Sequence, residues 1–267
     1  AGAPDMTMGK MVHVEGLCAG YDGQQVLHDL TLNVSRGEFM AILGPNGSGK
    51  TTLLRALSGV LSSVKGSIHI ADQDTCRLSA RGRARLCATV AQKNPDLSAL
   101  QVLSLVLMGR YPHIAFLGGY SDADHDCARR AMQETSSLHL RSRHAGTLSG
   151  GELQRVIMAK ALAQDTELLL LDEAASNLDV ARTVDLYELL RARNLNGLTI
   201  LTVAHDLNLA ALYCRRLVFL KGGRIVADGP TQEIFTSHLL SDIYETPIAV
   251  VPHPITGAPQ AHLLPRA

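Results

Sequence analysis

Residues Gly44-Pro45-Asn46-Gly47-Ser48-Gly49-Lys50-Thr51-Thr52 stand between an apolar run, Phe39 to Leu43, and a stretch with apolar residues at Leu53, Leu54, Ala56 and Leu57. That order reads as strand, glycine-rich loop, helix. The spacing Gly-x-x-x-x-Gly-Lys-[Ser/Thr] lets glycines bend the backbone until successive N–H groups face one way, with the positive end of a helix behind them. Phosphate suits such a concavity. Lys50 is placed to reach the β and γ phosphates of a nucleotide, and Thr51 to hold Mg²⁺. A glycine-rich turn beside an ordinary surface lysine is the competing reading. With glycine at about 7% of residues, the pattern arises by chance in roughly one chain in a hundred of this length.

At 267 residues the chain is long enough for one large α/β domain or two lobes, so core size sets no limit. Lys plus Arg and Asp plus Glu stand at 25 each, which argues against a nucleic-acid partner gathered by bulk charge. The five cysteines (Cys18, Cys76, Cys87, Cys127, Cys214) are irregularly spaced and include no Cys-x-x-Cys pair. They read as buried thiols in a reducing compartment rather than a disulfide framework or a zinc site. Neither Val102 to Met108 nor Leu168 to Leu171 approaches the length of a membrane span, and residues 1–10 lack the apolar region of a signal peptide. An intracellular protein is expected.

Met11 to Val14 and the alternating Leu30-Thr31-Leu32-Asn33-Val34 read as strands of a half-exposed sheet joined through the Asp22-Gly23 turn, with Gly66 to Ala71 extending it. Arg77, Arg81, Arg83 and Arg85 recur before Ala88-Thr89-Val90-Ala91-Gln92. A solvated helix face is preferred for them over an anion-binding patch. From about Ala99 to Leu148 the sequence turns helical without clear strands and includes the acidic stretch Ser121 to Asp126, which marks an inserted helical lobe.

Leu148-Ser149-Gly150-Gly151-Glu152 opens a second helix, with apolar residues at Leu153, Val156, Ile157, Ala161 and Leu162. Ser149 and Glu152 satisfy the capping box, which explains the helix start but not the paired glycines. Two residues without Cβ at a helix N-terminus let a phosphate approach the backbone, suggesting a second anion site and a site shared by two chains. Leu168-Leu169-Leu170-Leu171-Asp172-Glu173 reads as a strand covered on both faces and ending in two carboxylates. Ligands collect at the carboxyl ends of such strands. Asp172 is placed to order Mg²⁺ and Glu173 to orient and polarise an attacking water; considered alone, the run is equally an ordinary strand end. His205 directly follows the strand Leu198 to Val203 and is placed to hydrogen-bond a γ-phosphate.

This order of elements resembles the ATP-binding cassette family of transport ATPases over about residues 11–230. Tyr21 matches the aromatic residue on which adenine stacks, Gly44 to Thr52 the Walker A loop, Gln92 the Q-loop glutamine, and Leu148 to Glu152 the signature. Asp172 and Glu173 match the Walker B pair, Ser176-Asn177-Leu178-Asp179 the D-loop, and His205 the switch histidine. Ala174-Ala175 departs from the usual Pro-Thr. The resemblance implies a P-loop α/β core (RecA-like) with an antiparallel β subdomain, a helical subdomain inserted at about 96–147, and a C-terminal extension at 231–267. It implies Lys50, Gln92, Glu173 and His205 in catalysis. Tyr21, Gly44, Asn46, Gly47, Ser48, Gly49, Lys50, Thr51, Thr52, Ser149, Gly150, Gly151 and Asp179 would bind ATP, while Thr51, Gln92 and Asp172 hold Mg²⁺. Two cassettes would pack head to tail, so that Ser149 and Gly151 act on the ATP held by the other copy.

The 99 residues from Lys50 to Ser149 are too few for the coiled-coil insertions of chromosome-associated relatives. One set of motifs disfavours translation-associated relatives, and the absence of membrane spans disfavours fused exporters. Gly109-Arg110-Tyr111-Pro112-His113 and the tail Val251 to Pro259 are similar to segments of importers for ferric siderophores, haem and vitamin B12. Otherwise the first is a helix-ending turn and the second a proline-braced extension. Gln101 stands where these importers often have Thr. The resemblance thus implies integral membrane permease subunits, an indirect substrate-binding protein, and a peripheral place on the cytoplasmic face of the inner membrane. A soluble dimerisation switch and a motor for unrelated cargo are the alternatives.

Overall fold

The computed structural model describes residues 9–61, 65–92, 96–115, 117–175 and 178–265. Along the chain run β1 (Lys10–Tyr21), β2 (Gln24–Ser35), β3 (Phe39–Leu43), α1 (Lys50–Leu57), β4 (Lys65–Ile70), β5 (Gln73–Asp74), α2 (Ala80–Leu86) and β6 (Cys87–Val90). Next come α3 (Val102–Leu107), α4 (Asp122–Glu134), α5 (Gly150–Ala163), β7 (Leu168–Asp172), α6 (Val180–Leu195), β8 (Thr199–Val203) and α7 (Leu207–Tyr213). The last elements are β9 (Arg216–Lys221), β10 (Arg224–Pro230), α8 (Thr231–Ile234), α9 (Ser237–Tyr244), β11 (Ile248–Pro252) and β12 (Pro259–Leu263). The chain divides into two compact units: Ala1–Arg77 with Thr199–Ala267, and Leu78–Leu198.

In the first unit, β1 and β2 form the hairpin expected around Asp22-Gly23, with both strands longer than the sequence pattern suggests. Leu30, Leu32 and Val34 are buried while Thr31 and Asn33 face out, the alternation of a sheet with one wet face. β4 pairs antiparallel with β1, and β5 follows it at the edge. The other sheet has β3 between β8 and β9, both parallel to it, with β10 antiparallel on β9. Every residue of β3 and β8 is buried, as expected of strands covered on both faces. Arg216 joins the two sheets: its guanidinium donates to both Asp228 carboxylate oxygens at 2.6 and 2.7 Å, to Asn33 O at 2.9 Å and to Glu38 at 3.1 Å.

In the second unit, β6 and β7 pair in parallel and α3, α4 and α5 pack on one another. The helical reading of 99–148 holds among the described residues, with α3, α4, short 3₁₀ turns and an isolated bridge between Gln101 and His144. The acidic stretch is the start of α4: Ser121 Oγ and the Asp124 carboxylate form a reciprocal capping box. Val102, Leu105, Val106 and Leu107 are buried. Gln101 gives α3 no side-chain cap, the function a threonine supplies at that position.

Gly109-Arg110-Tyr111-Pro112-His113 lies in a 3₁₀ turn, Met108–His113, that locks three helices together. Arg110 Nε donates to Asp124 at 2.9 Å and its Nη1 to Ala163 O at 2.9 Å, while His113 Nε2 lies 2.9 Å from Gln164 O. The arginine row adds to one expectation, since Arg77, Arg81 and Arg85 are exposed as a solvated face requires. Arg81 and Arg85 lie on α2, yet both Nε atoms donate to Pro112 O at 2.9 Å, so these side chains clamp the turn instead of only solvating a face.

The cysteines correct another expectation. Only Cys87 and Cys214 are buried; Cys18 and Cys127 are half-buried and Cys76 is exposed, because three of the five fall at strand, turn or helix positions that face outward. The tail is a β-hairpin, β11 against β12, whose backbone pairing the prolines bound at Pro252 and Pro259. Among the described residues no helix is long and apolar enough to cross a membrane.

Candidate functional site

Between β3 and α1 the loop takes the conformation its glycines permit. Gly44, Gly47 and Gly49 have φ of 142°, 76° and 103°. A Cβ on Gly44 would lie 2.0 Å from Leu220 O, and one on Gly49 would lie 2.7 Å from a Leu27 methyl. The loop therefore sits pressed against β9 and β2. A Cβ on Gly47 would meet nothing within 4 Å, so the crest is open. Ser48 O accepts the Gly223 amide at 3.1 Å and Gly223 O accepts the His28 amide at 2.9 Å, tying the loop to the β9–β10 turn and to β2.

Lys50 is 6% exposed, which removes the ordinary surface lysine from consideration. Its ammonium donates to Gly44 O at 2.8 Å and Pro45 O at 2.9 Å, inside the loop. Ser48 Oγ is buried with no hydrogen-bond partner among the described residues. A buried orphan hydroxyl, left-handed glycines with an open crest at Gly47 and a held cation at the start of an eight-residue helix fit an anionic oxygen group. Asn46 lies exposed beside this crest, Thr52 is buried in the first turn of α1 and Thr51 is half-buried.

Tyr21, at the end of β1, is partly exposed; Arg55 donates to its hydroxyl at 3.1 Å and lies 5.9 Å from the ring centroid. The ring is thus steadied by a cation while keeping exposed surface. His205 is exposed, between β8 and Asp206, whose carboxylate caps α7 by accepting the Asn208 and Leu209 amides.

The second unit carries the remaining sequence-derived residues. Ser149 Oγ accepts the Glu152 amide at 3.3 Å and the Glu152 carboxylate accepts the Ser149 amide at 2.8 Å, the expected capping box. Those bonds to Ser149, with Arg143 and Arg155 nearby, hold the Glu152 carboxyl below its ordinary value. Gly150 and Gly151 have ordinary helical backbones. A Cβ on Gly150 would meet nothing within 4 Å, and one on Gly151 only Leu178 at 3.8 Å, so what these glycines provide is clearance over the first amides of α5.

Asp172 ends β7 and is 5% exposed. Glu173 turns out of the strand with φ 54°, a left-handed conformation costly for a non-glycine residue. The Gln92 amide donates to the Glu173 carboxylate. Gln154 donates to Ala174 O at 2.7 Å, so the backbone at the Ala174-Ala175 departure is held from α5. Gln92, Gly150 and Gln154 share the lining of a cleft of about 340 Å³. Asp179 caps α6 by accepting the Arg182 amide at 2.8 Å; Ser176 and Asn177 lie outside the described residues.

The structure therefore gathers Tyr21, Gly44 to Thr52 and His205 in one unit, and Gln92, Ser149 to Gly151, Asp172, Glu173 and Asp179 in the other. Sequence reasoning missed the loop's supports. Gly222-Gly223, between two strand-like runs, was a readable turn signal for one of them; Leu220 and Tyr244 gave no local signal at all.

The chain belongs to the ABC transporter family, whose model matches residues 27–176. The ferric enterobactin transport ATP-binding protein FepC of Escherichia coli (strain K12) is 37% identical over 92% of this chain and 91% of its own length. A metal-chelate type ABC transporter, solved in an inward-facing conformation, is similar with a TM-score of 0.83 and 28% identity over 97% of this chain and 98% of that one. The ATP-binding cassette MJ0796, solved as a dimer in a post-hydrolysis state with ADP and Pi, is similar with a TM-score of 0.74 and 26% identity over 82% of this chain and 98% of that one.

Proposed function

We propose that this chain is the ATP-hydrolysing subunit that powers an importer for metal chelates, working as a pair of copies beneath integral membrane permease subunits. The observation that carries the reading is the glycine-rich loop, with its buried Lys50, its left-handed glycines and a buried Ser48 hydroxyl that has no partner among the described residues. The likeness to FepC and to a metal-chelate transporter supports the class of cargo, a ferric siderophore, haem or cobalamin, and the dimeric MJ0796 supports the pairing. A substrate-binding protein would deliver the cargo from the far side of the membrane, leaving this chain peripheral on the cytoplasmic face.

In this reading the loop amides and Lys50 balance the phosphate charge, work that is almost all positioning and electrostatics. Tyr21 offers a face for the adenine. Ser149 and Gly151 present the open start of α5 to the nucleotide held by the other copy, near which Gly150 and Asp179 also lie. The Gln92 amide holds the Glu173 carboxylate, which orients the attacking water and takes its proton, while His205 donates to the γ-phosphate. Thr51, Asp172 and Gln92 have the hard oxygen donors that suit Mg²⁺, which would supply charge neutralisation at the phosphates.

The Glu173→Gln variant is expected to bind ATP and dimerise with turnover reduced at least about a hundredfold. Purified protein, assayed for nucleotide binding, ATP-dependent mass and phosphate release, tests this. Rapid hydrolysis by Glu173→Gln would remove Glu173 from the role of base. The cargo reading is tested by isolating the tagged chain from native membranes and measuring ATPase with binding proteins loaded with ferric siderophore, haem or cobalamin. Stimulation by one of them supports it; a solely soluble ATP-dependent dimer overturns it in favour of a regulatory switch.

A further inference from the structure

The C-terminal segment beyond β10 reaches back to the phosphate loop at one atom. Gly44 N donates to Tyr244 Oη at 3.1 Å, while Gly44 O accepts from Lys50 at 2.8 Å. Both polar groups of the first loop residue are thus held, one from within the motif and one from 200 positions along the chain. Gly44 is buried, so its amide loses its partner away from bulk water if the hydroxyl is removed.

Tyr244 is itself fixed. It ends α9, which Thr236 caps and which buries Leu240 and Ile243. Beyond it Glu245, left-handed at φ 53°, pairs with Lys221 at 2.7 Å, and Lys221 also donates to Asp242 O at 2.9 Å. Ser241 exchanges hydrogen bonds with Ile248, and Ser237 accepts the Val250 amide at 2.8 Å, so the β11–β12 hairpin locks the helix from its other side. Burial pushes the Tyr244 phenol up to about 12, so the hydroxyl stays a neutral partner throughout the working pH range.

We propose that Tyr244 is a positioning residue for nucleotide binding: its hydroxyl sets the plane of the Leu43–Gly44 peptide, where the phosphate loop begins, and makes the C-terminal extension part of the ATP site's framework. The inference rests on the assignment of the loop to ATP. Tyr244 touches no phosphate; it acts through the Leu43–Gly44 peptide, whose N–H it fixes immediately before the Gly44–Pro45 peptide whose carbonyl Lys50 holds.

The test is Tyr244→Phe, which removes one oxygen and keeps the ring. The expected result is a KM for ATP and a Kd for ADP raised roughly three- to tenfold, the worth of one hydrogen bond to a buried amide, with kcat within about twofold. Ser237→Ala is the comparison, since it loosens the extension while leaving Tyr244 on Gly44; it should change thermal stability without moving KM. An unchanged KM and Kd in Tyr244→Phe, or the same KM change in Ser237→Ala, overturns the proposal. Should Tyr244→Phe not fold, amide exchange at Gly44 in the unaltered protein decides: protection supports the contact and solvent-rate exchange overturns it. Absence of nucleotide binding by the unaltered protein would instead sink the assignment of the loop to ATP.

Discussion

At the level of single residues, Asp124 illustrates how much one side chain holds in the helical unit. Its carboxylate accepts from Ser121 N and Oγ and from Arg110 Nε, with the acid and base side chains only 10% and 11% exposed. The Ser121 hydrogen bonds, with Arg110 next, draw its pKa from 3.8 to about 2. A carboxyl depressed in the folded state adds stability above its unfolded value and loses it as pH falls through the folded one. Its contribution should therefore be complete above about pH 4 and fade toward about pH 2. Asp124→Asn, which leaves Arg110 without its carboxylate, is expected to cost about 2–3 kcal/mol near neutral pH. The gap between variant and unaltered protein should narrow in acid, and denaturant titrations at several pH values measure it. The pairing was invisible in the sequence, where Ser121 to Asp126 read as an acidic stretch, because Arg110 meets it only when α4 packs beside the 3₁₀ turn.

At the level of elements, strands and motif helices were legible because their signals are local. The alternation in Leu30 to Val34, the apolar runs of β3, β7 and β8, and the Ser149–Glu152 box each occupy a few consecutive residues. The β11–β12 hairpin was not legible. Its strands carry apolar side chains on a surface where Val251, Ile255 and Leu263 stay exposed, and its anchor is distant: Asn208 on α7 donates to Ala261 O at 3.2 Å and accepts the Ala261 amide at 2.7 Å. Asn208→Leu removes both bonds and leaves the β12 amide unpaired on that side. Faster amide exchange across 248–263 is expected, by roughly tenfold, with a loss of about 1–2 kcal/mol in global stability. Hydrogen exchange read by mass spectrometry checks it, and unchanged protection would show that β11 alone holds the strand.

At the level of the whole molecule, the thiols report which parts of the chain are closed. None of the five cysteines forms a disulfide, and Cys87 and Cys214 are buried, one in each unit. Burial pushes the Cys87 thiol up to about 12 and the Cys214 thiol higher still, so neither offers a thiolate to a reagent. Under native conditions an aromatic disulfide reagent should label Cys76 first, Cys18 and Cys127 more slowly, and Cys87 and Cys214 only on unfolding; mass spectrometry of labelled peptides counts them. The thermal midpoint should not respond to reductant. Early labelling of Cys87 or Cys214 would mean that the corresponding unit opens without global unfolding.

Local spacing was enough to specify the family, the glycine-rich loop between β3 and α1, the capped glycine-bearing helix and the carboxylates at the end of β7. Each rests on a short spacing whose physics is complete within a few residues: a nest of amides, a capping box, a strand buried on both faces. Tertiary structure alone decided what holds those pieces in position. The Tyr244 hydroxyl on Gly44, the Gly223 amide on Ser48 O, the Arg81 and Arg85 clamps on Pro112, and the Asn208 pair with Ala261 join residues far apart in the chain. Buried amides and carbonyls must find partners wherever folding brings one within reach, and no local pattern states which residue that will be.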